Sequence, residues 1–292
     1  MPSAPPPLPL TLVVATTPIP SAPPNGPVRL GIGLNGTLPW PRIKTDMSFF
    51  ARVTARPPPS SSPGKTRTNA LIMGRKTYDS IPAKLRPLGK RTNVVISRDA
   101  DGSVAERVRR DLEVKLGRER ELREAKAKEQ GEIQGSEKVE GVQSSSAVSS
   151  AVLAVPAEGK TGAFVEGSLE GALTRLDEAA AGEGEGVGHV YVIGGAEIYN
   201  ASMKLDSASG SDSGAESNLK RTVRIVMTDV EKLDGSCFEC DTFFPVDQEE
   251  LDSGKWRKVS PAEVTGWVGE EVTGKWIEEG DVRVRMAGYE RA

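Results

Sequence analysis

Cysteine and histidine are nearly missing from this 292-residue chain, which has two Cys and one His. A structural zinc site takes about four such ligands, and Cys237, Cys240 and His189 supply at most three. The Cys-x-x-Cys pair therefore reads as two incidental thiols near a strand end, and no metal site is expected. Long hydrophobic runs are missing too. No stretch approaches the roughly 20 apolar residues that span a bilayer, so no membrane helix is expected. Nor is there an excess of one charge. With 38 Lys+Arg against 41 Asp+Glu, the net charge is −3, and no basic field invites nucleic acid. No Lys or Arg precedes Arg29, and prolines interrupt the apolar stretch around Leu8 to Ala15. A secretory or transit signature is thus lacking, which makes the cytoplasm the default expectation.

Hydrophobic residues make up 37% of the chain, low for its length, while Gly, Pro and Ser abound. That balance points to one core carrying polar insertions rather than two full domains. Short β-branched runs at Leu10 to Thr16, Ala70 to Met73, Asn93 to Ser97, His189 to Ile193 and Thr222 to Thr228 read as strands buried on both faces. Helical patterns fall between them, from Ile43 to about Val53, from Ser168 to Ala180, and briefly after Gly195. Alternation of this kind predicts an α/β fold with helices on a mostly parallel sheet. Val282, Val284 and Met286 alternate with charged residues, as expected of a closing strand with one wet face.

Other segments look unable to contribute to a core. Pro18 to Pro27 and Pro57 to Gly64 are Pro-rich, and Ser207 to Ser217 is a small polar insertion. The largest runs from Asp99 to about Ser150. Its alternating charges suggest a solvated helix without an apolar stripe, followed by a serine-rich tract. The expected layout is a single domain over residues 8–292, interrupted at about 99–150 and 207–217.

Two motifs mislead. Gly31-Ile32-Gly33-Leu34-Asn35-Gly36 matches a dinucleotide fingerprint, but Pro39 and Pro41 follow where a helix should open. Gly64-Lys65-Thr66 ends like a P-loop, yet Pro59 occupies the place of the first glycine. Two strand–helix junctions are physically better. Met73-Gly74-Arg75-Lys76-Thr77 offers backbone N–H groups and two cations to a phosphate. Ile193-Gly194-Gly195-Ala196 would let a diphosphate approach the backbone closely. Asp46 is the third feature, a carboxylate on the helix face marked by Ile43, Met47 and Phe50. An acid can sit there simply to complement the helix dipole, or it can serve a ligand from an apolar setting. The residues alone leave both readings open.

Taken in chain order, these segments resemble dihydrofolate reductase. Leu30 to Trp40 (LGIGLNGTLPW) is similar to the loop that covers that family's active site, and Asp46 stands at its single active-site carboxylate. Ala70 to Pro82 resembles the strand and helix holding the cofactor phosphates, and Val192 to Tyr199 the second cofactor segment. Arg91 matches the arginine for the substrate's α-carboxylate, and Ser97-Arg98 the adenosine 2′-phosphate site. Thr228 falls at the threonine that bonds the carboxylate, and Asp241-Thr242-Phe243-Phe244-Pro245 matches a late family motif.

The resemblance implies a central mixed, mostly parallel sheet flanked by helices and closed by an antiparallel C-terminal strand. It implies a monomer that binds NADPH and folates or antifolates and reduces 7,8-dihydrofolate, with hydride to C6 and a proton to N5. By the same resemblance, Asp46 and Thr228 are catalytic. Val14, Ala15, Leu38, Met47, Phe50, Ile81, Leu85, Arg91 and Ile193 join them around the substrate. Cofactor contacts would come from Ala15, Ile32, Gly33, Gly36, Gly74, Arg75, Lys76, Thr77, Ser97, Arg98, Ile193, Gly194, Gly195, Ala196, Glu197, Ile198 and Tyr199.

There are departures. Extra residues precede Leu30, Leu85 makes a substrate wall apolar, and Gly167 replaces a cation found in some members, leaving Arg75 and Arg98 for the adenosine phosphate. A riboflavin-pathway reductase of the same fold is disfavoured by Asp46 after Leu38-Pro39-Trp40 and by Arg91. A non-catalytic pterin- and NADPH-binding protein is the other alternative, though no catalytic part is missing to support it.

Overall fold

In a computed structural model of the chain, the described residues are 7–21, 26–59, 67–99, 102–131, 161–181, 186–205 and 221–292. The first half runs β1 (Leu10–Ile19), β2 (Arg29–Gly33), α1 (Lys44–Ala55), β3 (Arg67–Gly74), α2 (Arg75–Ser80), β4 (Thr92–Ile96) and α3 (Ser103–Gly131). Then come β5 (Gly162–Glu166), α4 (Leu169–Ala181), β6 (Gly186–Val192), α5 (Ala196–Lys204) and β7 (Val223–Lys232). The chain closes with β8 (Thr242–Phe243), α6 (Gln248–Asp252), β9 (Trp256–Val259), α7 (Pro261–Val268), β10 (Ile277–Glu279) and β11 (Val282–Arg291).

The main sheet has the order β10-β11-β7-β1-β6-β3-β4-β5. From β7 to β5 every neighbouring pair is parallel, and β11 runs antiparallel to β7, β9 and β10. The fold class is therefore the expected one, including the antiparallel closing strand. Successive strand residues feed opposite cores, as period-two geometry requires. Ala70 and Ile72 join Leu173 of α4 and Met203 of α5 on one face, while Leu71 and Met73 join Phe49 and Val53 of α1 on the other.

Several expectations change. The polar stretch after Asp99 does carry an apolar stripe, at Val104, Val108 and Leu112, spaced i, i+4, i+8 on α3. All three are buried in the same core as Phe49, Tyr78 and Val95, so the start of this segment is part of the domain's packing. The stripe spans only three of about eight turns and is diluted by Arg and Glu on every side. β5 was not expected, yet Val94 pairs with Phe164 and extends the sheet by one strand. β1 continues through Pro18 to Ile19 because it pairs with β2 there, antiparallel at the sheet's edge. The helix α7 is a further element beyond those expected, and Ser260-Pro261-x-Glu263 is its start signal. The Ser260 side chain accepts from the Glu263 N–H, and Gly269 closes the helix in the left-handed region at φ 66°. The second half of the long insertion and the Ser207 to Ser217 segment lie outside the described residues, as does Gly64-Lys65-Thr66.

Candidate active site

The first turn of α1 brings Asp46 against the sheet, where only 5% of it remains exposed. Its inner face is Asp46, Phe49 and Val53, a spacing of three and four. Met47 and Phe50, expected on that face, lie beside it and are half-buried, so they flank the carboxylate rather than cover it. Burial pushes the Asp46 carboxyl up from the usual range, and a hydrogen bond from the Thr228 side chain partly offsets this. Thr228 is fixed by register on both sides, opposite Ala15 of β1 and Met286 of β11. The helix start is itself clamped from far along the chain. Glu279 of β10 accepts hydrogen bonds from the backbone N–H groups of Lys44 at 2.6 Å and Thr45 at 2.9 Å, and from the Thr45 hydroxyl at 2.8 Å. This carboxylate serves as the missing N-cap. No local sequence signal marks it, because it lies more than 230 residues away.

A buried charge of the opposite sign is bonded to the other end of α1. Arg91 is 8% exposed, and its guanidinium donates to the Thr54 hydroxyl at 2.7 Å and to the Gly89 carbonyl at 2.9 Å. No carboxylate among the described residues lies within ion-pair distance of it. Burial pulls its pKa down to about 10. An uncompensated buried cation is costly, and an anion would offset that cost. Eight residues of helix separate Asp46 from Thr54, or about 12 Å at 1.5 Å per residue. The helix thus has a buried carboxylate in its first turn and a buried guanidinium bonded to its last.

Apolar side chains lie near both. Phe50, Ile81 and Ile193 pack at the margin of the core built on Phe49 and Tyr78, and Ala15 sits against Trp40 and Ile43. Val14 is buried in the opposite core, so only its backbone is available to the site. Leu38 and Leu85 are 45% and 46% exposed, large apolar groups left facing solvent.

The two glycine junctions come together as the sequence suggested. Gly74 donates its N–H to the Gly194 carbonyl at 2.8 Å, and Ile193 donates to Ile72 at 3.0 Å. Gly194 has φ 123°, which disfavours any side chain, and a Cβ there would press on Thr77 Oγ1 at 3.2 Å. Gly195 would meet the same oxygen at 3.4 Å. The Gly194–Gly195 turn thus presents bare backbone beside the Thr77 hydroxyl, and Arg75 and Lys76 are exposed at the start of α2. This cradle fits a diphosphate. Ser97, Arg98 and Gly167 end the neighbouring strands β4 and β5, with Arg98 exposed. Ala196 and Glu197 open α5 at the surface, but Ile198 and Tyr199 do not face outward as cofactor-contacting side chains would. Tyr199 is 3% exposed and donates to the Val13 carbonyl at 2.8 Å, while Ile198 packs under Gly74. Their role is to seat the turn.

The glycine-rich segment after Arg29 forms a strand and hairpin, so its resemblance to a Rossmann fingerprint is indeed accidental. Ile32 and Gly33 lie in β2, and Leu34 and Thr37 bridge across a turn whose centre, Asn35 and Gly36, has φ 51° and 76°. Asp241 accepts from the Asn35 N–H at 2.7 Å, and its own N–H donates to Gly33 at 3.0 Å. That gives the Asp241-Thr242-Phe243 motif a physical purpose, which is to tether the hairpin. Cys240 packs directly on Gly31, and both cysteines are free thiols.

A largely parallel sheet, two glycine turns joined at its strand ends and a carboxylate buried on the first helix together make an α/β fold with a candidate site at its strand ends. The family model for dihydrofolate reductase matches residues 28–138. A dihydrofolate reductase from Cryptococcus neoformans is 30% identical over 258 residues, covering 86% of this chain and 85% of that one. One from Pneumocystis carinii is 28% identical, with coverage of 93% and 91%. The solved Schistosoma mansoni dihydrofolate reductase shares the fold, with a TM-score of 0.50 at 23% identity over 98% of this chain. This chain belongs to the dihydrofolate reductase family.

Proposed function

We propose that the protein catalyses NADPH-dependent reduction of 7,8-dihydrofolate to tetrahydrofolate. The observation that carries this reading is a pair of buried charges, Asp46 in the first turn of α1 and Arg91 bonded to Thr54 in its last. Asp46 would accept hydrogen bonds from the pterin 2-amino group and N3, with Thr228 fixing the carboxylate's orientation. Arg91, already aligned by Thr54 and Gly89, would take the α-carboxylate of the glutamate tail. Ala15, Met47, Phe50, Ile81 and Ile193 would line the slot between, and the exposed Leu38 and Leu85 would gain cover from the ligand.

The cofactor segment would use the backbone of Gly74, Gly194, Gly195 and Ala196, the Thr77 hydroxyl, and Lys76. Arg75, Ser97 and Arg98 would take the 2′-phosphate, giving NADPH preference over NADH. When bound, NADPH supplies the hydride accepted at pterin C6. Ile32, Gly33 and Gly36, tethered through Asp241, would close the site against water. Among the described residues Asp46 is the one carboxyl classed as buried, and its raised pKa suits it to assist protonation of N5, through the pterin or a water.

We also read residues 8–292 as one catalytic domain, acting as a cytoplasmic monomer. No described helix is long and apolar enough to cross a membrane. The direct test is an absorbance assay with dihydrofolate and NADPH. Steady oxidation of NADPH that requires dihydrofolate supports the reading, and its absence in folded protein would refute it.

A further inference from the structure

Arg75, at the head of α2, does not stand alone. Its Nη1 lies 3.4 Å from Asp79 Oδ2, one turn along the same helix. A carboxylate in that position would compete with an incoming phosphate for the arginine. The other carboxylate oxygen of Asp79 is taken by a residue from the inserted segment, with Arg107 Nη2 of α3 at 2.9 Å from Oδ1. That contact is the shorter of the two, and it is ionic rather than a directed hydrogen bond, since Arg107 Nε and Nη2 have no hydrogen-bond partner among the described residues.

Two hydrogen bonds and shared apolar packing also hold α3 against α2 and the loop that follows it. Asp111 accepts from the Tyr78 hydroxyl at 3.0 Å and from Arg86 Nε at 3.0 Å, and Val108 and Leu112 are buried beside Tyr78. Arg107 is therefore presented to Asp79 by a docked helix rather than by a floating side chain.

We propose that Arg107 is a positioning residue for the coenzyme. It neutralises Asp79, so that Arg75 can leave that carboxylate for the 2′-phosphate of NADPH without stranding an unpaired charge. With Arg107 present the Arg75–Asp79–Arg107 group carries a net positive charge, which a phosphate dianion favours. Without it the group is neutral, and phosphate must win Arg75 from Asp79. The inserted helix thus contributes to coenzyme choice, though it touches no coenzyme itself. This inference rests on the NADPH site proposed above.

The test is steady-state kinetics with NADPH and with NADH at low ionic strength. Arg107→Met should raise KM for NADPH about two- to five-fold, the range of a partly exposed ion pair. It should leave kcat and the KM for NADH unchanged. Arg107→Lys should stay near the parent. Asp79→Asn alone should lower KM for NADPH, and adding it to Arg107→Met should return KM towards the parent value. The differences should shrink in high salt. Arg75→Gln serves as the control for the site itself. If Arg75→Gln raises KM selectively for NADPH but Arg107→Met affects both coenzymes alike, or neither, or is not rescued by Asp79→Asn, the positioning role is wrong. If Arg75→Gln shows no selectivity, the coenzyme assignment fails and the inference goes with it.

Discussion

Asp46 and Arg91 are buried charges of opposite sign tied to opposite ends of one helix, the first in its opening turn and the second bonded to Thr54 in its last. Asp46 and Thr54, the helix residues at the two ends, are about 12 Å apart along the axis of α1. A ligand must match both ends. Arg91→Lys keeps the charge but loses the planar fork. It should weaken a glutamate-bearing folate about ten-fold or more, the scale of a charged hydrogen bond. An antifolate without the glutamate should bind almost as before. Equal weakening of both, measured by titration, would make Arg91 merely structural.

The cost of burying Asp46 should appear in stability. Its folded pKa lies above the unfolded value, so the unfolded chain ionises first as pH rises. Destabilisation sets in as pH climbs through the ordinary carboxylate range and levels off above the raised folded value. Asp46→Asn keeps an acceptor for Thr228 and removes the charge. Its melting temperature should exceed the parent's at neutral pH and converge with it in acid. A variant less stable than the parent at neutral pH would mean that the carboxylate is structurally required.

The start of α3 should behave as core. Leu112 is 4% exposed and Leu122 is 62% exposed on the same helix. Leu112→Ala should cost about 2–5 kcal/mol of stability, whereas Leu122→Ala should change it by less than about 0.5 kcal/mol. Chemical denaturation of the two variants decides this, and equal effects would mean that the helix does not pack as described.

Coenzyme selectivity should depend on Arg98, which is exposed at the end of β4. Arg98→Ala should raise KM for NADPH far more than for NADH, because only the former carries the 2′-phosphate. Parallel changes would move that phosphate elsewhere.

Much of this was legible in the sequence. β-branched runs flanked by glycine turns gave the parallel strands, and Asp46 stood out because an acid among apolar neighbours needs a reason. Beside β5 and α7, three features were not legible, each for a physical cause. Glu279 caps α1 from a remote strand, and a cap supplied through space leaves no local spacing. The Val104–Val108–Leu112 stripe is short against the charge around it, so averaging over the long segment hides it. The inward turn of Tyr199 depends on Val13 lying beneath it, which only strand order decides. Asp241 was visible as part of a motif, but its bond to Asn35 came only with the fold.

The central claim is that Asp46 assists protonation of a bound pterin, and single-turnover hydride transfer against pH tests it most directly. Asp46→Asn should retain its fold and its NADPH affinity but lose most of its rate near neutral pH. Solvent can protonate the substrate as acidity increases. The variant's rate should therefore climb as pH falls, across a range where the parent is nearly flat. A variant that transfers hydride at close to the parent rate at neutral pH would contradict the account and take Asp46 out of the mechanism.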